Sequence, residues 1–285
     1  VLIYPPRGRL LFATDFHGGL EDFRRVVSRY RERRAAGEAI YLLFAGDFIH
    51  GPDYSPEAFP EYLGDPHGDD APAILAELES LMREDPGVRS LLGNHEHAHI
   101  GGPHTTRFHR EPDEVEFLES CLGPDKTARA HALFRTFALA ALTPCGVLFL
   151  HGAPSVRSAG FREVSGARLN GYGHMTIREI YGVPVIGELL WAKSADPVVA
   201  ERFLERMAYG GRRPRVAVYG HDIIRNGFER LASNQAIVST SFGLKRRYKT
   251  LCEIDLAGRY ERTEDLRYGR EFYPLYGETG LVKGE

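Results

Sequence analysis

The sequence predicts an α/β sandwich built on mixed sheets, and three observations carry that expectation. Apolar, strand-like runs alternate with amphipathic helical segments through the first half of the chain. The last third turns strand-rich, a combination that argues for mixed rather than purely parallel sheets. With 285 residues, of which 43% are hydrophobic and 26% charged, the chain has the length and composition to bury one large core.

Taken in order, LLFAT (10–14) reads as the first buried strand. LEDFRRVVSRYRER follows, with Leu20, Phe23, Val26, Val27 and Tyr30 on one helical face. YLLFA (41–45) is the next strand. Residues 48–72 interrupt the alternation, because Pro52, Pro56, Pro60, Pro66 and Pro72 rule out regular structure. This stretch carries Asp53, Glu57, Glu61, Asp65, Asp69 and Asp70 without a lysine or arginine. It reads as a solvated loop, with a substrate-selecting lip as the alternative. APAILAELESLMRE is a second amphipathic helix that ends before Pro86, and VRSLL (88–92) a third strand. Helices over DEVEFLESCL and KTARAHALFRT come next. FALAALTPCGVLFL is broken by Pro144 and Gly146, so it reads as two strands around a turn, too short to span a bilayer. PVVAERFLERMA is helical, VAVY (216–219) a strand, and the remainder antiparallel strands. Beyond Gly258 the chain is polar yet holds Tyr260, Tyr268, Phe272, Tyr273 and Tyr276. A disordered tail carries few aromatics, so residues 257–285 are expected to pack as an extension on a catalytic domain spanning 1–256.

Chemistry concentrates where five of these strands end. Asp15-Phe16-His17, Gly46-Asp47, Gly93-Asn94-His95-Glu96, His151-Gly152 and Gly220-His221 each follow an apolar run. Any one of them is a weak signal; all five at strand ends bring oxygen and imidazole donors toward one crevice. Two divalent cations ~3.5–4 Å apart can clamp phosphoryl oxygens and generate hydroxide near neutral pH. Mixed nitrogen and oxygen ligation suits manganese, iron or zinc, with manganese foremost for activity, and disfavours pure calcium or magnesium sites. Asp47 is the bridging candidate. Asp15 and His17 complete one metal site; Asn94, His151 and His221 complete the other.

These motifs resemble the calcineurin-like metallophosphoesterases, and within them the PPP-type serine/threonine phosphatases and their bacterial relatives. GNHE, FRTFALAALTPCGVLFLHGAP, ELLWAKSADP, VAVYGHDIIRNGF, AIVSTSFG and YKTLCEID are similar to that group in content and order, over roughly residues 9 to 256. The resemblance implies two facing mixed β-sheets flanked by helices, and phosphoester hydrolysis by a metal-bridging hydroxide. It also implies that His95, the histidine of GNHE, protonates the leaving alkoxide. Many relatives end the last motif in a second metal-binding histidine; here that position is Ile223, as in the PPP branch.

Three departures stand out. In PPP phosphatases an aspartate three residues after the bridging aspartate orients the general acid; here it is His50, the candidate partner of His95. The arginine that follows that aspartate and grips phosphate is replaced by Gly51. The loop that supplies a second arginine after LLW is also short. Replacements for this guanidinium clamp are sought in Arg107 or Arg110, within a histidine-rich stretch that also holds His97, His99, His104 and His109, or in Arg157 or Arg225. Those histidines read as loop residues around the site rather than a third metal centre. Asp222, beside His221, either orients an imidazole or simply ends a strand.

A net charge of −3 gives no bulk attraction to nucleic acid or membrane. Cys121, Cys145 and Cys252 are odd in number and widely spaced, which is no disulfide framework, and no charged-then-apolar leader is present. The cysteine usage points to a reducing, cytoplasmic setting; the chain begins at Val1 without methionine, so a removed leader stays open. The leading expectation is a phosphatase acting on a phosphoprotein or small phosphoester. A dinucleoside polyphosphate hydrolase and a non-catalytic metal-binding module are the alternatives. The acidic 48–72 stretch weighs against the first of these and the intact ligand set against the second.

Overall fold

A computed structural model describes residues 1–106, 108 and 113–277. The chain runs β1 (Leu2–Ile3), β2 (Arg9–Ala13), α1 (Leu20–Ala35), β3 (Ile40–Phe44), α2 (Ala71–Glu84), β4 (Val88–Ser90), α3 (Asn94–Ile100), α4 (Glu114–Leu122) and α5 (Pro124–Phe134). It continues through β5 (Ala140–Leu142), β6 (Val147–Leu150), α6 (Phe161–Ser165), α7 (Ile177–Ile180), α8 (Ile186–Leu190) and α9 (Pro197–Arg206). The last part holds β7 (Val216–Tyr219), β8 (Phe228–Ala232), β9 (Gln235–Val238), β10 (Thr250–Asp255) and β11 (Phe272–Pro274).

Two mixed sheets face each other with helices outside, as expected. One is six-stranded, in the order β1-β5-β6-β7-β9-β8, and the other five-stranded, in the order β11-β10-β2-β3-β4. Strand periodicity explains why the runs are apolar throughout. Leu10, Phe12 and Leu43 point into the core between the sheets, while Leu11, Leu42 and Phe44 point to the core beneath the helices. A strand buried on both faces has no polar side to show. Phe12 and Phe149 meet across the sheets with ring centroids 4.6 Å apart.

Within the sheets β2, β3 and β4 are parallel, as are β6 and β7. The residues after these strands therefore gather at the carboxyl ends, where open α/β sheets place their ligand sites. The 48–72 stretch holds one short 3-10 turn, Glu61–Leu63, that its prolines did not suggest. Its later half is anchored: Asp65 N donates to Leu244 O, and Arg246 N donates to the Asp65 carboxylate. The aromatic segment after Gly258 supplies β11, an edge strand antiparallel to β10. Tyr273 there donates its hydroxyl to Glu253, and Tyr276 donates to Asp22. Among the described residues no helix is long and apolar enough to cross a membrane. All three cysteines are free thiols.

Candidate metal centre

Backbone strain marks the site before any side chain is considered. Asp15, His17, Asp47, His50 and His221 all hold φ between 42° and 68°, the left-handed region. Non-glycine residues reach it at a cost of about 1 kcal/mol or more each, and such outliers cluster where function demands them. The turns also interlock. Phe16 and His17 donate their N–H groups to Asp47 O, and His95 N–H donates to Asp47 Oδ1 at 3.2 Å.

Three imidazoles are oriented by backbone carbonyls. His17 Nδ1 donates to Ile49 O at 3.0 Å, His151 Nδ1 to Ala45 O at 2.9 Å, and His221 Nε2 to Trp191 O at 3.1 Å. With those nitrogens carrying the protons, each ring turns a lone pair inward from its other nitrogen. His151 Nε2 then lies 3.0 Å from Asn94 Oδ1 and 3.2 Å from His221 Nδ1. Asp47 Oδ2 lies 3.6 Å from both His151 Nε2 and His17 Nε2. Acceptors facing acceptors with no proton between them repel unless a cation sits among them. Ligands sharing one transition metal at about 2.0–2.2 Å lie roughly 3–3.5 Å apart, close to these separations.

Charge supports the same reading. Asp15 is pushed well above the usual carboxylate range by burial and by neighbouring Asp47. Glu96 is raised to about 8 by burial and Asp47. Burial lowers His151 to about 4; burial and His151 lower His221 to about 3, so both rings are neutral and able to ligate. Buried carboxylates crowded this way, beside neutral imidazoles and an amide oxygen, fit divalent metal ions.

Two groupings of possible ligand atoms share Asp47: His17–Asp47–His95 and Asp47–His151–His221. Asn94 joins the second through His151. Asp15 stands beside them, with His221 N–H donating to its two oxygens at 3.0 and 3.1 Å. His50 Nδ1 lies 2.8 Å from His95 Nδ1.

Glu96 has a role that sequence reasoning did not assign. Its two oxygens accept from Asp47 N–H and Phe48 N–H, both at 2.8 Å, and so hold the turn that presents Asp47. Space around Gly93 is equally restricted, since a Cβ there would lie 2.1 Å from Asp47 Oδ1 and 2.5 Å from Glu96 Oε2.

The centre opens into a cleft of about 310 Å³ lined by His17, Asp47, Asn94, His95 and His221 on one side, and by Thr105, Thr106, Ile177, Tyr181, Trp191 and Lys193 on the other. No described residue of 48–72 lines it, which leaves the lip reading of that stretch without support. Arg157 and Arg225 are exposed and are not among the residues that line it. Arg107 and Arg110, with His109, lie outside the described residues. Among the described residues, the cation lining the cleft is Lys193, on the short segment after Trp191, paired with Asp222 at 2.9 Å. Asp222 thus holds Lys193 and caps Ile223 N–H rather than orienting an imidazole. Gly51 is bare for a steric reason: a Cβ there would meet His17 O at 2.5 Å and Asp69 Oδ1 at 3.0 Å.

A family model described as calcineurin-like phosphoesterase matches residues 8–231. The chain belongs to the calcineurin-like phosphoesterase family. Members are metal-dependent phosphoester hydrolases, and the ligand groupings above fit that requirement. Among solved structures, it is similar to a protein serine/threonine phosphatase from Saccharomyces cerevisiae with similarity to human phosphatase PP5. That match has 17% identity and a TM-score of 0.58, over 88% of this chain and 74% of the other. A cold-active protein tyrosine phosphatase is similar at 12% identity and a TM-score of 0.52, over 89% and 77% of the two chains. A putative diadenosine tetraphosphatase matches at 14% identity and a TM-score of 0.45, over 88% and 91%. At these identities the likeness is one of fold. No curated protein sequence matches the chain.

Proposed function

We propose that this calcineurin-like phosphoesterase is a phosphomonoesterase of the PPP type, with Asp47 bridging two cations and His95 as general acid. The observation that carries this is Asp47 Oδ2, set 3.6 Å from lone-pair nitrogens of two histidines on different sheets, His17 and His151. Asp15 and His17 would hold one cation, and Asn94, His151 and His221 the other. Divalent transition metals bound there, manganese foremost, would neutralise phosphoryl oxygens and make water nucleophilic near neutral pH. The chain's own residues do the rest. Ile177, Tyr181 and Trp191 give the leaving group an apolar wall. His95 borders both the cleft and Asp47, within reach of a leaving oxygen, and His50 holds its other ring nitrogen. Lys193, paired with Asp222, supplies an ammonium where the resembled phosphatases carry a bidentate arginine. A phosphate dianion is therefore gripped less firmly, and the preference for monoesters over diesters is smaller than in those enzymes.

The test is manganese-dependent turnover of an aryl phosphate monoester and its diester analogue by the purified protein. Turnover that requires added metal and disappears in Asp47→Asn supports the proposal. Metal-independent turnover, or none on either substrate, contradicts it.

A further inference from the structure

His50 raises a problem that the rest of the helical layer answers. A protonated His95 is stabilised by a nearby negative charge, and a neutral imidazole at position 50 has none to offer. The structure extends the contact further. His50 Nε2 lies 2.9 Å from His99 Nε2, and His99 Nδ1 lies 3.0 Å from Glu119 Oε1. His131 Nε2 approaches the same Glu119 oxygen from α5 at 2.8 Å. His95 and His99 are four residues apart on α3, which puts both on the face that meets His50.

We propose that Glu119 is the carboxylate that positions the general acid, acting on His95 through His99 and His50. Polarity runs in one direction along this chain. An ionised carboxylate only accepts, so His99 carries its proton on Nδ1 and presents a lone pair at Nε2. His50 must then donate from Nε2, which leaves its Nδ1 as acceptor. His95 donates to that acceptor from Nδ1, so Nε2 is the nitrogen that gives its proton to the leaving oxygen. No proton has to travel along the chain: His95 delivers the one on Nε2 and keeps the one on Nδ1. His50, His95 and His99 are buried, which limits competition from water for these contacts. Burial also disfavours a charged His99, and its hydrogen bond leads the effects that hold Glu119 down to about 2.

Among the described residues, the other titratable groups near this chain have partners of their own. Glu114 has a carboxylate oxygen within 4.8 Å of ring nitrogens of His50 and His95. Its oxygens are taken by the Thr105 hydroxyl and by Phe108 N–H. His104 pairs with Asp113. His97, on the opposite face of α3, donates from Nε2 to Leu169 O.

The inference rests on His95 being the general acid, so its test has one arm that needs no catalysis. In zinc-loaded protein, ¹⁵N shifts of the ring nitrogens should report His99 as the Nδ1–H tautomer and His50 as the Nε2–H tautomer. The second arm is Glu119→Gln, which keeps an acceptor for His99 but removes the charge. It should lower kcat for alkyl phosphates, which have poor leaving groups, by about 10-fold, the scale of lost outer-shell support. Aryl phosphates with good leaving groups should change less than about 3-fold, and KM and bound metal should stay as in the parent. The opposite tautomers would overturn the proposal. So would an equal loss on both substrates accompanied by lost metal, a zinc ion bound by His99, Glu119 and His131, or a selective loss in Glu114→Gln but not in Glu119→Gln. If neither substrate turns over, the proposed function fails while the tautomers still decide this inference.

Discussion

Gly93→Ala tests how tightly the site is built, because backbone conformation is not the obstacle. Gly93 holds φ −89° and ψ 165°, which alanine adopts freely. Only space forbids the methyl group. The added Cβ would lie 2.1 Å from Asp47 Oδ1, 2.5 Å from Asp47 N and 2.5 Å from Glu96 Oε2, against 3.4 Å for ordinary contact. Asp47 Oδ1 must therefore give way by roughly 1.3 Å, and the backbone N beside it by roughly 0.9 Å. Overpacking of this kind costs about 1–3 kcal/mol. A displacement near 1 Å at a reacting centre costs about 10²-fold in rate. Gly93→Ala should therefore fold with a lowered Tm, lose bound manganese by elemental analysis, and lose about 10²-fold in kcat/KM on an aryl phosphate. Gly68→Ala, where nothing lies within 4 Å of the added carbon, serves as the control and should match the parent. Parental metal content and turnover in Gly93→Ala would refute the reasoning.

Three further outcomes are expected. His95→Asn should lower kcat by about 10²-fold on alkyl phosphates and much less on aryl phosphates with good leaving groups; equal losses with depleted metal would make His95 a ligand. Lys193→Ala should raise KM for an aryl monoester by about 5-fold, more than for the diester, as expected of an exposed charge contact, while Arg157→Ala and Arg225→Ala leave both unchanged. Glu253, buried between sheet and helix, is drawn upward by burial but held below its ordinary value of 4.5 by hydrogen bonds from Arg33, Tyr273 and Arg9. Because its folded-state value is depressed, its contribution is present above 4.5 and is lost as pH falls through the folded value. Glu253→Gln should cost about 2 kcal/mol at neutral pH, with melting curves that converge with the parent's in acid; a constant difference across that window would contradict the assignment.

Strands were legible in the sequence because burial on both faces leaves apolar runs such as LLFAT and YLLFA without a polar position. α1, α2, α4, α5 and α9 were legible from amphipathic spacing. α3 was not, since NHEHAHI is buried in full and polar at five of its seven positions, so no apolar stripe marks it. The short helices α6 to α8 have too few residues to show a period. Reading five strand-end motifs together found residues that the fold does bring side by side. What stayed hidden depends on packing between distant segments. Lys193 lines the cleft together with Trp191, a placement that no motif marks, whereas Arg157 and Arg225 follow motifs but do not line it. Glu119 lies 20 residues from His99 and meets it where α3 and α4 both pack against α5.

The most direct test of the central claim is an anomalous-diffraction structure of the manganese-loaded protein. Two ions ~3.5–4 Å apart are expected, with Asp47 touching both, Asp15 and His17 on one, and Asn94, His151 and His221 on the other. One ion alone, Asp47 turned away, or fewer than four of these six residues in contact with metal would contradict the account.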